Sequence, residues 1–82
     1  MDIAKQLEKL RYKLAFTQHD LGRHLGVSNM TVSRWERGDA VPCDVLIKLA
    51  LIAHDTGLSP WPFLNAAGLT REELKASLAD TP

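Results

Sequence analysis

Residues Thr17–Gly38 read TQHDLGRHLGVSNMTVSRWERG, two short helices joined by a turn so tight that one packing fits. Thr17 and Ser28 are N-cap residue types, whose side-chain oxygen accepts a hydrogen bond from a backbone N–H of the first turn. Each has an apolar residue just before it and another four after it, Phe16 with Leu21 and Val27 with Val32. That pattern is the hydrophobic staple, repeated. Gly26 follows Leu25, where the first helix must stop in a left-handed conformation that a Cβ resists. Gly22 lies inside that helix, where glycine costs about 1 kcal/mol relative to alanine. A close helix crossing is the expected reason.

At 3.6 residues per turn the second helix of the pair places Val32 and Trp35 on one side and Met30, Ser33, Arg34 and Arg37 on the other. The first side packs; the second, with an amide near its start, a thioether, a hydroxyl and two guanidiniums, suits base edges and phosphates. The pattern TQxxLGxxLGVSxxTVSRWERG resembles the helix-turn-helix of Cro/C1-type repressors, the xenobiotic-response-element family. Gln18, Gly22, Gly26, Val32 and Trp35 fall at that family's fixed positions, and the resemblance runs from about Leu7 to Leu64. It implies an all-α, compact, five- to six-helix lambda-repressor-like DNA-binding domain.

The 82 residues are enough for one domain. A chain of that size buries only ~60% of its unfolded surface, so oligomerisation would help it. One cysteine excludes an internal disulfide framework. The first sixteen residues, MDIAKQLEKLRYKLAF, carry charges throughout and do not read as a signal peptide. The longest apolar stretch, Val45 to Ala53, is interrupted by Lys48 and is far short of the ~20 residues a membrane span needs. A soluble, cytoplasmic protein of bacterial, phage or plasmid origin is expected, without membrane contact.

The formal net charge is zero, although nucleic-acid-binding domains are often basic. Residues 1–38 hold seven Lys or Arg against four Asp or Glu, a balance of +3, and residues 39–82 hold three against six, a balance of −3. Such asymmetry turns one face toward a polyanion, although scatter in a short chain can produce it too.

Elsewhere only helices are expected. Ile3, Leu7, Leu10 and Leu14 mark an amphipathic first helix that would cover the motif. Val45–Ala53 makes a fourth, apolar on nearly every side except Lys48 and therefore expected to be buried on more than one face. Ser59 can cap a fifth with Pro60 in its first turn and a Leu58–Phe63 staple, ending at Gly68. Thr70 and Glu73 form a capping box for a last helix through about Ala79. Residues 1–67 are thus expected as the DNA-binding domain, and 68–82 as a capped C-terminal helix that covers the core or contributes to dimerisation.

In helix-turn-helix proteins the second helix enters the major groove by its N-terminal end while the first crosses the backbone. Ser28, Asn29, Met30, Ser33 and Arg34 would then face bases. Asn29 can pair with adenine and Arg34 with guanine, while Met30 offers apolar contact to a thymine methyl. The resemblance gives Gln18 the role of bracing Asn29 and touching phosphate. Thr17, Arg37 and, more weakly, Arg23 are the other backbone contacts. The resemblance also pairs Arg11 with Glu36 between the first and third helices, as a structural ion pair. The segment after Gly38, DAVPCD, is acidic where many relatives carry a basic loop.

Other chemistry finds little support. His19 and His24 stand five apart on a short helix, on different faces, and His54 is remote, so no metal site is expected. Cys43 is expected as a partly buried small side chain. No paired acid and base, phosphate loop or nucleophile constellation appears, so neither enzyme activity nor a cofactor is expected. The leading expectation is a sequence-specific transcriptional regulator, most simply a small dimeric repressor. The alternative is an antitoxin or interaction module whose apolar C-terminal half holds a protein partner. The dimer would form through the fourth helix and the segment after it, with Leu51, Trp61, Phe63 and Leu64 at its interface, and select a pseudo-palindromic operator in double-stranded DNA. Against it stands a tail helix folded back through Leu69, Leu74 and Leu78 to cover the same surface.

Overall fold

Local sequence signals set the helix boundaries. The computed structural model describes residues 2–69 and contains five helices: α1 (Ile3–Lys13), α2 (Gln18–Leu25), α3 (Asn29–Glu36), α4 (Cys43–Asp55) and α5 (Trp61–Ala66). Among the described residues there is no strand. The helix anticipated from Thr70 to Ala79 lies outside them.

Asp2 caps α1 by accepting the Ala4 N–H at 3.0 Å. Thr17 accepts the Asp20 N–H at 3.1 Å while Asp20 accepts the Thr17 N–H at 3.0 Å, a reciprocal capping box that opens α2. Thr17 is legible as a cap from its residue type, whereas its partner is not, because Asp20 stands where Glu or Gln is the usual signal. Ser28 caps α3 through the Thr31 N–H at 3.2 Å.

Gly26 is left-handed at φ 78°, and the Val27 N–H reaches back to the Gly22 carbonyl at 2.8 Å. The same back-bond closes α1, where the Phe16 N–H reaches the Arg11 carbonyl at 3.0 Å. There the left-handed position is held by Ala15 at φ 57°, a conformation alanine adopts at a cost. Gly22 is explained by contact: a Cβ built on it would lie 2.6 Å from the Val27 carbonyl oxygen. Only glycine lets the turn after α2 fold against α2 at that distance.

The core joins Leu7 and Leu10 of α1, Leu21 and Leu25 of α2, Val32 and Trp35 of α3, five α4 residues and Phe63 of α5. Leu7, Leu10, Leu21, Val32 and Leu49 are fully buried. Burying such a side chain contributes roughly 1.5–3 kcal/mol, so the inward stripes fix how each helix is rotated.

The C-terminal half departs from expectation in three ways. Helix α4 buries one broad stripe, Val45, Leu46, Leu49, Ala50 and Ala53, and leaves Ile47 and Leu51 exposed, rather than being buried on several faces. Helix α5 takes Pro60 as its N-cap, one residue later than the Ser59 start, and Pro62 occupies the first turn. Ser59 still accepts the Trp61 N–H at 3.4 Å. Phe63, grouped above with the interface candidates, is 2% exposed and belongs to the chain's own core.

Candidate nucleic-acid interface

Helix α3 turns Val32 and Trp35 inward, which leaves Asn29, Met30 and Arg34 exposed along one outward strip, with Ser33 half-buried beside them. Met30, the one thioether in this strip, is 62% exposed. Arg37 is the exposed C-cap of α3, one turn beyond Arg34. Depth along the helix therefore separates the two guanidiniums.

Ser28 is differently placed from the others. Its hydroxyl accepts the Thr31 N–H and lies 3.0 Å from the Thr31 hydroxyl, so it serves first as a cap. The Thr17 hydroxyl likewise accepts the Asp20 N–H at the exposed start of α2. Thr17 and Gln18 at the start of α2 and Asn29 at the start of α3 line one groove, and the N–H groups of a helix start attract anions.

Arg11 and Glu36 form an ion pair between α1 and α3. Arg11 donates to Glu36 twice, from Nε to Oε2 at 2.8 Å and from Nη2 to Oε1 at 3.0 Å, and Nη1 donates to the Phe16 carbonyl at 3.2 Å. The paired side chains are only 12% and 6% exposed. Glu36 holds the Arg11 guanidinium above its ordinary value, chiefly through that hydrogen bond. A single contact thus ties the end of α1, the turn after it and the end of α3. Gln18 joins the pair, its Nε2 donating to Glu36 Oε1 at 3.4 Å. The bracing expected toward Asn29 is directed at Glu36 in this structure, while Asn29 lines the same groove.

That groove, about 600 Å³, is lined by the end of α1, the start of α2 and Asn29. It contains two residues beyond those expected at the interface. Tyr12 is 64% exposed with the Arg11 guanidinium 4.8 Å over its ring, and His19 lies exposed beside it. Tyr12 stands off the Leu7–Leu10–Leu14 stripe, the one signal that could have marked it as outward.

Arg23 is exposed on α2 near Asp20, Phe16 and His24 and does not line the Gln18–Asn29 groove. The carboxyl of Asp20 is lowered below the ordinary carboxylate range, first by the Thr17 backbone N–H and then by the Thr17 hydroxyl. His24 instead packs its ring 5.8 Å from that of Phe16. Cys43 is exposed rather than partly buried. Among the described residues no group of three or more His, Cys, Asp or Glu could hold a metal ion, and no helix is long and apolar enough to cross a membrane. Leu51 is 63% exposed, and Trp61 and Leu64 are half-buried.

Residues 5–59 match the model of the bacteriophage CI repressor helix-turn-helix domain. The chain is 32% identical over 76 residues to a protein of Methanocorpusculum labreanum provisionally named an HTH-type transcriptional regulatory protein. That alignment covers 93% of this chain and 24% of the relative, so the chain spans about a quarter of its length. No solved structure matches.

Proposed function

Since the chain belongs to the phage CI repressor helix-turn-helix family, domains of DNA-binding transcription regulators, we propose that it binds duplex DNA sequence-specifically and represses transcription. Residues 1–67 form the DNA-binding unit, and the start of α3 enters the major groove while α2 crosses the backbone. The observation that carries this reading is the outward strip of α3, where Asn29, Met30 and Arg34 are exposed while Val32 and Trp35 lock the helix from behind. Asn29 reads adenine, Arg34 reads guanine and Met30 meets a thymine methyl; Ser33 and Ser28 contribute from the flank. Thr17, Gln18 and Arg37 hold phosphates, with Arg23 at the periphery.

A second chain joins through α4 and the segment after it. Ile47 and Leu51, one turn apart, give α4 an apolar outward strip, 48% and 63% exposed, that supports a protein contact here. A two-fold dimer would set two α3 helices about 34 Å apart and select a pseudo-palindrome. Few Lys or Arg line the interface, so the salt dependence is moderate.

Duplexes selected from a random pool and their scrambled counterparts, titrated at one salt concentration, test the proposal. Preference for the selected sequence is expected, and equal affinity for both would refute it.

A further inference from the structure

The Arg11–Glu36 pair does more than join helices: we infer that it sets the hydrogen-bonding polarity of the base-reading amides, making Glu36 a positioning residue for recognition. This rests on the proposed DNA-reading role of α3 and concerns how one of its contacts is oriented. A glutamine amide has a donor end and an acceptor end and can be flipped at almost no change in shape. An ionised carboxylate accepts only. Because Glu36 Oε1 faces Gln18 at 3.4 Å, the amide must present Nε2 to it, which turns Oε1 of Gln18 away from Glu36.

The carboxylate is itself fixed. Both of its oxygens accept from Arg11, at 2.8 and 3.0 Å, and its side chain is 6% exposed, so it has no room to rotate away. Gln18 and Asn29 line one groove. When DNA fills that groove, Gln18 Oε1 is the acceptor available to one Nδ2 proton of Asn29. The second Nδ2 proton and Oδ1 of Asn29 then face the base together. That donor–acceptor order complements N7 and the N6 amino group of adenine, whereas guanine offers acceptors at both places. The order of donors runs from a buried guanidinium to a base edge.

Three measurements test this, each on the full chain. Replacing the pair by apolar residues of similar size, Arg11→Met with Glu36→Leu, removes the polar reference while often sparing stability. In the folded double variant the preference for A·T over G·C at the Asn29 position should be smaller than the parent's by about 5-fold or more, whatever happens to affinity for scrambled duplex. Retained preference would overturn the inference. Glu36→Gln, whose amide can face either way, should lose the same preference, and adding Gln18→Ala to it should lower affinity for all duplexes through the lost phosphate contact but reduce the A·T preference no further; an additive loss of preference would overturn it.

On the unaltered protein, one Nε2 proton of Gln18 should exchange with solvent more slowly than those of Gln6, and equal exchange would overturn it even if neither variant folds. A parent chain with no base preference would remove the DNA-reading proposal as well, whereas a parent with preference and a folded variant that keeps it removes this inference alone.

Discussion

Helices α3 and α4 are anchored alike and differ in what they leave outside. Each is held from behind by fully buried side chains, Val32 in α3 and Leu49 and Ala53 in α4. Outside, α3 presents an amide, a thioether and a guanidinium, and α4 presents Ile47 and Leu51. Packing determines which face is outward; the residues left there determine the kind of partner. One face suits a surface of hydrogen-bonding edges, and the other suits apolar surface.

The comparison breaks most severely if α3 is moved without touching its outward residues. Gly22→Ala places a Cβ against the Val27 carbonyl oxygen at 2.6 Å, and since that atom is backbone the turn must open. Overpacking of this kind costs about 1–3 kcal/mol. Urea unfolding should show a loss near the top of that range, together with weakened binding to all duplexes, and an unchanged midpoint would contradict the crossing geometry.

Within the α3 face, Arg34→Ala should relax preference at one base pair and cost about 1–3 kcal/mol, whereas Arg37→Ala should weaken every duplex about equally. Titrating both variants against all single-base changes of the selected site would show whether depth along the helix separates them. Identical profiles would merge the two roles.

Leu51→Lys tests the other face. It should leave the monomer's melting within about 0.5 kcal/mol, since the side chain is 63% exposed. Affinity for a full palindrome should fall about tenfold while half-site affinity holds. Equal loss on both sites, or sedimentation as a monomer before and after the change, would remove the α4 contact.

Two smaller effects sharpen what lies beneath both faces. Ala15→Gly relieves a left-handed alanine at φ 57°. The relief of ~1 kcal/mol is partly offset by greater freedom in the unfolded chain, so a gain of about 0.5 kcal/mol is expected in urea unfolding with DNA affinity unchanged. For Asp20, a folded carboxyl below its ordinary range means that the unfolded chain binds more protons as pH falls. Its contribution is complete above the ordinary carboxylate range and is lost as pH drops through the depressed folded value. Asp20→Asn should remove that part of the acid limb in melting temperature against pH, and parallel curves for parent and variant would contradict the capping role.

The motif half was legible because its signals are local. Thr17, Ser28 and Gly26 act on neighbours within about one turn, Gly22 on Val27 and Ser28 five and six residues along, and the α3 wheel needs only a period. The C-terminal half was less so: α4 reads as apolar on nearly every side, and only its packing shows that Ile47 and Leu51 fall outside the buried stripe. Phe63 illustrates the same gap, since an aromatic after an apolar helix looks equally suited to a core or an interface. In the interface itself, single residues could be nominated from sequence, but the contact of Gln18 with Glu36 joins positions eighteen apart and depends on how α2 and α3 cross. Tyr12 depends on the end of α1 meeting the start of α2.

Mapping amide chemical shifts while the selected duplex is titrated into the labelled chain tests the division of faces most directly. The largest changes should fall at Thr17, Gln18 and Asn29 through Arg34, with Ile47 and Leu51 unaffected by a half-site duplex. Changes centred on α4, with the start of α3 undisturbed, would contradict it.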